Sequence, residues 1–593
     1  MSDTPTWRLD DLYGGPDDPA IAVDLERLRG EARAFAQRYR DRVATLAPAE
    51  LAGALVTLED LYEALSRVRT FASLLFAANT LDARHQALLA RVREAATDIQ
   101  TELLFFDLEL RRAPEEHAAA LGAAPELAGY RHHLAVVRSF APHTLSEPEE
   151  RVIAQLRQTG SAAWSQLYAE VTSALRFPVT LNGAAKELTD AEARALRSSP
   201  DRDVRRQGSD VLLSTYERHA HVLTFAFNTL VQDHRLTYGL RSYSDPLEPT
   251  ALENEFTAAF IERLLSVTEQ HYGLAADYYR LKARRLGLDG DFQSCDLLAP
   301  YEHEEQRFTW AEAQALVRDA YAAFHPALGA LVQEFYDGRW IDTLPRHGKR
   351  GGAFCSGGTP RSHPYVLMNF TGRLEDVFTL AHELGHGVHY ALARRQTPFN
   401  FEPTIPMAEV ASTFGELLLA EHLRRQGVNG GLRERLLTML IEDVIATVLR
   451  QAMYTRWEQR AHARRAAGLV TADEYGVLWQ EALAHLYGDA VRFGALDRWG
   501  WITIPHFVHY RFYCFSYVFG HLLALALLQR AADEGPAFAQ RYLALLAAGG
   551  SDRPEALLAL VGVDPWAPGF WERGFATAAE WIAQFRAAVV MTT

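Results

Sequence analysis

A chain of 593 residues, 48% of them apolar, can bury a large core and is longer than one core usually grows, so two or more lobes are expected. A formal charge of −15, with no long run of Lys and Arg, argues against nucleic acid as a partner. Cys295, Cys355 and Cys514 are scattered and odd in number, which indicates neither a disulfide framework nor a zinc ribbon and fits a reducing compartment.

The opening MSDTPTWRLDDLYGG lacks the basic start and apolar stretch of a secretory signal, so a cytoplasmic protein is expected. From about Asp18 to Arg112 apolar residues recur every three or four positions, as in LEDLYEALSRVRTFASLLFAANTL, which predicts long amphipathic helices packed antiparallel. Ser or Thr followed three residues later by Glu predicts helix starts at Ser146, Thr189, Thr309 and Thr471. Strand signals are few. Alternation in LRFPVTLNGAAKEL predicts a hairpin turning at Asn182-Gly183, and a domain boundary is placed near Pro200, dividing the chain into lobes 1–200 and 201–593. The Gly-, Pro- and aromatic-rich stretch between Asp337 and Gly372 reads as a small sheet with a mobile glycine-rich loop. No fixed-period repeat is present, and HLLALALL, from His521, is far below membrane-spanning length, so no membrane partner is expected.

The segment TLAHELGHGVHY, Thr379 to Tyr390, carries the chemistry. His382 and His386 lie four residues apart, so on a helix two imidazoles project from nearly the same face and can converge on one cation. Glu383 lies roughly 60° around the helix from His386, able to reach a water without ligating the metal. Zinc suits this set, because two imidazoles and one carboxylate leave a fourth position for water, whose pKa falls toward ~7. Buried histidines and a carboxylate without such a role would cost several kcal/mol, on the order of the penalty for any unpaired buried polar group. His389 lies on the same face but about 10 Å along the axis, too far for all three rings to share an ion. The extended motif HExxHxxGxxH is excluded, since His389 stands where Gly is required and Leu392 where His is required. His389 is read as packing or as support to a ligand.

The third ligand should be a carboxylate. FEPTIPMAEVASTFGELLLAEHL begins a new helix after Pro403 and Pro406 and presents Glu409 and Glu416 two turns apart on one face, among small and apolar residues. Spacing alone does not choose between them. Further on, HFVHYRFYCFSY gathers His506, His509, Tyr510, Tyr513 and Tyr517, donors that stay neutral at pH 7 and can stabilise an oxyanion; the alternative is an aromatic core stripe.

These residues resemble the M3 metallopeptidases, and more closely the oligoendopeptidase F group. The likeness rests on LAHELGHGVH, AEVASTFGE, GKRGGAFCSG, WITIPHFVHYRFYCFSYVFG and the opening WRLDDLY, which together cover most of the chain in order. The resemblance implies Glu409 as the ligand that completes one zinc site per chain, Glu416 as a group orienting a histidine, and an N-terminal helical lobe of the oligopeptidase F type. It also implies His506 and Tyr517 as stabilisers of the transition state and Tyr510 or Tyr513 as substrate contacts. The strand YVLMNFTG, with Asn369, is expected to lie along the cleft and pair with an extended peptide, and the loop at Gly351 and Gly352 to close over it. Cys355 is read as structural, since no partner base is evident.

The expected protein is mostly α-helical, a two-lobe clamp around a deep cleft with a small sheet beside the HExxH helix. It would hydrolyse short unfolded oligopeptides internally, with His382, His386 and Glu409 holding zinc and Glu383 as general base. A metallocarboxypeptidase or dipeptidyl carboxypeptidase on a similar scaffold is the nearest alternative, and a non-catalytic zinc-containing peptide-binding protein the next. Oligomeric state is not indicated.

Overall fold

The structure, a computed structural model, describes residues 6–181, 183–301, 307–427 and 430–592. Most of them are helical, and helices begin where the sequence offers a cap. The first N–H groups of a helix have no partner within it. Ser146, Thr189, Thr309 and Thr471 each accept from the N–H three residues on, and the Glu there accepts from the cap residue's own N–H, completing four capping boxes. The hairpin also forms as the alternation predicts: β1 (Phe177–Leu181) and β2 (Ala184–Leu188) run antiparallel with Leu181 opposite Ala184. Gly183 takes a φ of +78° in the turn; Asn182 lies outside the described residues.

The chain forms two compact units, each built from three stretches. The first comprises Met1–Thr144, Glu305–Gly427 and Ala524–Ala567, the second Leu145–Glu304, Val428–Leu523 and Pro568–Thr593.

In the first unit, Pro48–Ala78 buries Leu51, Leu55, Leu58, Leu65, Val68 and Ala72, the stripe its three-and-four spacing predicts. Each such leucine contributes roughly 1.5–3 kcal/mol on burial. The opening WRLDDLY is a clasp. Trp7, Leu9, Leu12 and Tyr13 join a core cluster with Phe71, Tyr365 and Leu367. The Arg8 N–H donates to the Arg339 carbonyl at 2.9 Å. Asp11 accepts from the Tyr365 hydroxyl at 2.5 Å and faces His363 at 3.2 Å.

That clasp fixes a three-stranded sheet of β3 (Ile341–Asp342), β4 (Phe354–Ser356) and β5 (Tyr365–Leu367) in the order β3-β5-β4. Val366 pairs with Ile341 in parallel and with Cys355 antiparallel. The expectation that YVLMNFTG pairs with a peptide is therefore corrected. β5 is the central strand, wholly buried, and the Met368 and Phe370 N–H groups are taken by Asp342 and Thr343. A strand bonded on both sides has no edge to offer. Among the described residues the edges of this sheet belong to β3 and β4.

The glycine-rich loop is likewise not free along its length. The buried Lys349 ammonium donates to Asp342 Oδ1 at 2.7 Å and to the Leu344 and Met368 carbonyls at 3.0 and 2.6 Å. Gly348 accepts from Thr80, and Arg350 donates to Ala77. A buried ammonium holds its acceptors because leaving them would strand a charge.

Two helices follow the sheet, the histidine helix Leu374–Ala393 and the acidic helix Ile405–Arg425. They cross at glycines. A Cβ on Gly385 would collide with the backbone of Ala411 and Ser412, and one on Gly415 with the Ala381 carbonyl and the Tyr321 hydroxyl. Tyr321 itself donates to the Ala381 carbonyl at 2.7 Å, fixing the histidine helix from a third side.

The second unit holds the hairpin and a buried aromatic core in which Phe227, Tyr475, Trp501 and Phe507 surround Trp457. HLLALALL proves to be part of a longer helix than its eight letters suggest. Phe515–Glu534 has 20 residues and is apolar enough to cross a membrane by composition, yet Leu522, Leu523, Leu525 and Leu527 are completely buried in protein.

Candidate active site

The histidine helix and the acidic helix bring three ligand atoms together. His382 Nε2 lies 3.8 Å and His386 Nε2 3.9 Å from Glu409 Oε2, and the whole set fits within 4.8 Å. The two rings stand 5.0 Å apart and nearly perpendicular. Tetrahedral zinc, with bonds of ~2.0–2.1 Å, holds its ligands about 3.4 Å from one another, so this donor set needs only a slight contraction to fit. The chemistry fits as well, two imidazoles and one carboxylate.

Each donor is held from behind. His382 Nδ1 donates to Glu416 Oε1 at 2.6 Å, the Ala408 backbone favours the protonated form of His386, and Ser412 Oγ donates to Glu409 Oε2 at 3.2 Å. Glu416 thus meets the far side of a histidine while Glu409 meets the near side of both. Ser412 and Ala408 escaped the sequence reading. A Ser three residues after a Glu on one helix is the only local signal either left.

The field in the site favours positive charge. Burial alone would lower His382, but Glu416, with Glu383 and Glu409 behind it, raises it to about 10. Burial raises Glu383 to about 7, with His382 opposing and Glu409 and Glu416 reinforcing. Glu383 is 6% exposed, one residue from His382. His386 is driven well below its ordinary value by burial and by His382 and His389. His389 is buried, lowered to about 4, and its Nδ1 has no partner among the described residues. It stands outside the trio. Burial and Glu383 push the Cys355 thiol well up, which leaves it a poor nucleophile.

Beside the helix, β4 carries Cys355. Gly351 and Gly352 precede it with open space where a Cβ would sit, and Gly352 has a φ of +77°. Asn369 does not present its amide to an open groove. Its Nδ2 donates to the Arg350 and Gly352 carbonyls at 3.0 and 2.8 Å.

In the second unit the C-terminal donors form their own cluster. His506 Nε2 and the Tyr517 hydroxyl share a hydrogen bond of 3.3 Å. Tyr513 stacks on His506 at 5.9 Å and meets Tyr517 edge-on at 5.2 Å. Tyr510 is 65% exposed and leans on Tyr513. His509 turns instead to Tyr168. Burial and His509 lower His506, so its ring is neutral near pH 7.

A sequence model of Peptidase family M3 matches residues 195–577, and one described as Oligopeptidase F matches residues 109–177. Group B oligopeptidase PepB of Streptococcus agalactiae is 28% identical over 87% of this chain and 86% of its own length. Oligopeptidase PepF of Bacillus subtilis is 26% identical over 95% and 84%. A solved structure from Chlamydophila abortus superposes with a TM-score of 0.85 at 25% identity, covering 99% of this chain and 98% of that one. Oligoendopeptidase-F from Enterococcus faecium superposes at 0.74 and 22% identity over 97% and 99%, a likeness of fold. The first of these matches takes in well over half of the residues, the histidine helix and the acidic helix among them, and so the chain belongs to peptidase family M3.

Proposed function

We propose that this peptidase is a zinc-dependent endopeptidase that cuts short unfolded peptides internally, in the cytoplasm. The observation that carries the reading is the convergence of His382, His386 and Glu409, with the buried Glu383 beside them on the same helix. The names of the relatives, oligopeptidases and oligoendopeptidases, agree with it. Zinc, when bound by the trio, supplies Lewis-acid polarisation of a carbonyl and acidifies a water. Glu416, bonded to His382 Nδ1, would keep that imidazole in the orientation and tautomer that ligation needs.

Glu383 moves the proton. Its burial gives it a proton affinity near neutrality, suited to taking a proton from the attacking water and returning it to the leaving amine. His506 and Tyr517 would stabilise the oxyanion as hydrogen-bond donors, and Tyr510 and Tyr513 would touch the substrate. An extended peptide would add to the free edge of β4 through main-chain hydrogen bonds, which demand little of its sequence. Gly351 and Gly352 would leave that approach unobstructed. Asn369 would act through the loop it holds rather than on the peptide.

The test is a quenched ten-residue peptide blocked at both ends, incubated with enzyme and with its Glu383→Gln variant. Wild type is expected to cut it internally, as mapped by mass spectrometry, and to stop on chelation. The variant is expected to keep its zinc and lose several orders of magnitude in kcat. Cuts confined to an unblocked terminus would favour a carboxypeptidase, and undiminished turnover by the variant would reject Glu383 as the base.

A further inference from the structure

Two unfavourable features of the second unit meet at a single hydrogen bond. Glu458, on the helix Arg450–Ala466, is 1% exposed, and its Oε1 has no partner among the described residues. Its Oε2 accepts from the Phe512 N–H at 2.9 Å. Phe512 is completely buried and has a φ of +56°, a left-handed backbone that a bulky residue adopts only under constraint. A buried carboxyl with one bond is expensive, and an aliphatic residue would fill its place at less cost.

What these features hold is the turn of the His506–Tyr517 segment. The Phe512 ring packs on His462 at 4.7 Å and on His234 at 5.9 Å. The neighbouring Arg511 carbonyl accepts from Thr250 at 3.1 Å. Within the turn the Tyr513 N–H donates to the Tyr510 carbonyl, and Ser516 to Tyr513. His506 and Tyr517 flank it and share their 3.3 Å bond across it. Were Phe512 to relax to a negative φ, the chain between them would change direction and their separation with it.

We infer that Glu458 is a positioning residue, which sets the left-handed turn at Phe512 through its N–H and so aligns His506 with Tyr517. The inference rests on the peptidase reading above. The role needs an acceptor and not a charge. Burial raises Glu458 to about 8, with the Phe512 N–H and Arg511 opposing, which favours the protonated acid at pH 7. A glutamine can therefore replace it, whereas an aspartate, one methylene shorter, keeps the acid and loses the reach.

The full-length Glu458→Gln, Glu458→Asp and Glu458→Leu variants are compared with wild type on the blocked peptide at pH 7, with zinc content and Tm measured alongside. Zinc is held by the other unit and is expected to stay stoichiometric in all three. Glu458→Gln is expected to keep kcat within threefold of wild type. Glu458→Asp and Glu458→Leu are expected to lose tenfold or more in kcat with KM within threefold, as removal of a contact made only in the transition state requires. Glu458→Leu should do so with Tm unchanged or raised. Equal losses in all three variants, losses that track Tm, or kcat within twofold of wild type in the Asp and Leu variants would each overturn the positioning role. If wild type itself hydrolyses no peptide, the peptidase reading fails first, and this inference with it.

Discussion

Glu409 and Glu416 are chemically identical and two turns apart on one helix, yet they meet opposite sides of a histidine. Glu409 meets the Nε2 atoms of both histidines, and Glu416 takes the Nδ1–H of His382 at 2.6 Å. A ligand and a group that orients a ligand respond differently to mutation. Glu409→Ala removes one of three donors and should leave the protein without stoichiometric zinc after dialysis. Glu416→Gln keeps an oxygen that can accept from His382 but discards its charge, which should weaken zinc affinity by about 10–100-fold while stoichiometry at saturating zinc is retained. Competition against a chelating dye measures both. The assignment reverses if Glu416→Gln loses stoichiometric zinc and Glu409→Ala does not. HExxH itself could be read from the sequence because its geometry is local, set by the helical repeat alone. Spacing could not choose between the two acids, and only the family resemblance pointed to Glu409, since both project from the same face and the partner helix decides which of them meets which nitrogen.

That decision is made where two helices cross. Gly385 and Gly415 let the histidine helix and the acidic helix approach until backbone meets backbone. The closeness sets the register in which Glu409 and Glu416 arrive. Gly415→Ala should be tolerated poorly, although alanine is the better helix former by about 1 kcal/mol. Its methyl would strike the Tyr321 hydroxyl and the Ala381 carbonyl, and overpacking of this kind costs roughly 1–3 kcal/mol. The expected result is a lowered Tm together with weakened zinc binding, because relief must come from sliding the two helices apart. A Tm at or above wild type with unaltered zinc affinity would show that the crossing has slack. The capping boxes and the β1–β2 hairpin were legible for the same reason as HExxH: each is complete within a few residues. β5 was misread because being central or at an edge is a property of the sheet, and β3 and β4 pair with it from 25 and about 11 residues away along the chain. The clasp of WRLDDLY on that sheet has no local signature at all, because Asp11 and Tyr365 are 354 residues apart.

The units are not cut from the chain in order, and this governs how the whole molecule should answer to metal. His382, His386 and Glu409 all come from the stretch Glu305–Gly427 of the first unit, whereas Trp457 and its aromatic neighbours build the core of the second. A ligand that binds only the folded state stabilises it by an amount that grows with the logarithm of its concentration over Kd, about 4.1 kcal/mol at a thousandfold excess. That free energy resides first where the contacts are made, and opening reactions of a protein are graded by region. Chelation should therefore raise amide hydrogen exchange in peptides from Leu374–Ala393 and Ile405–Arg425, by as much as a thousandfold for amides that exchange through opening of this helix pair. Peptides from Arg450–Ala466, whose protection comes from Phe227, Trp457 and Tyr475, should exchange at their former rate. Exchange mass spectrometry of the zinc-loaded and chelated enzyme reads both at once. A rise of equal size in both sets would mean that the metal supports the fold globally, and no change in the helix pair would mean that these three side chains do not hold it.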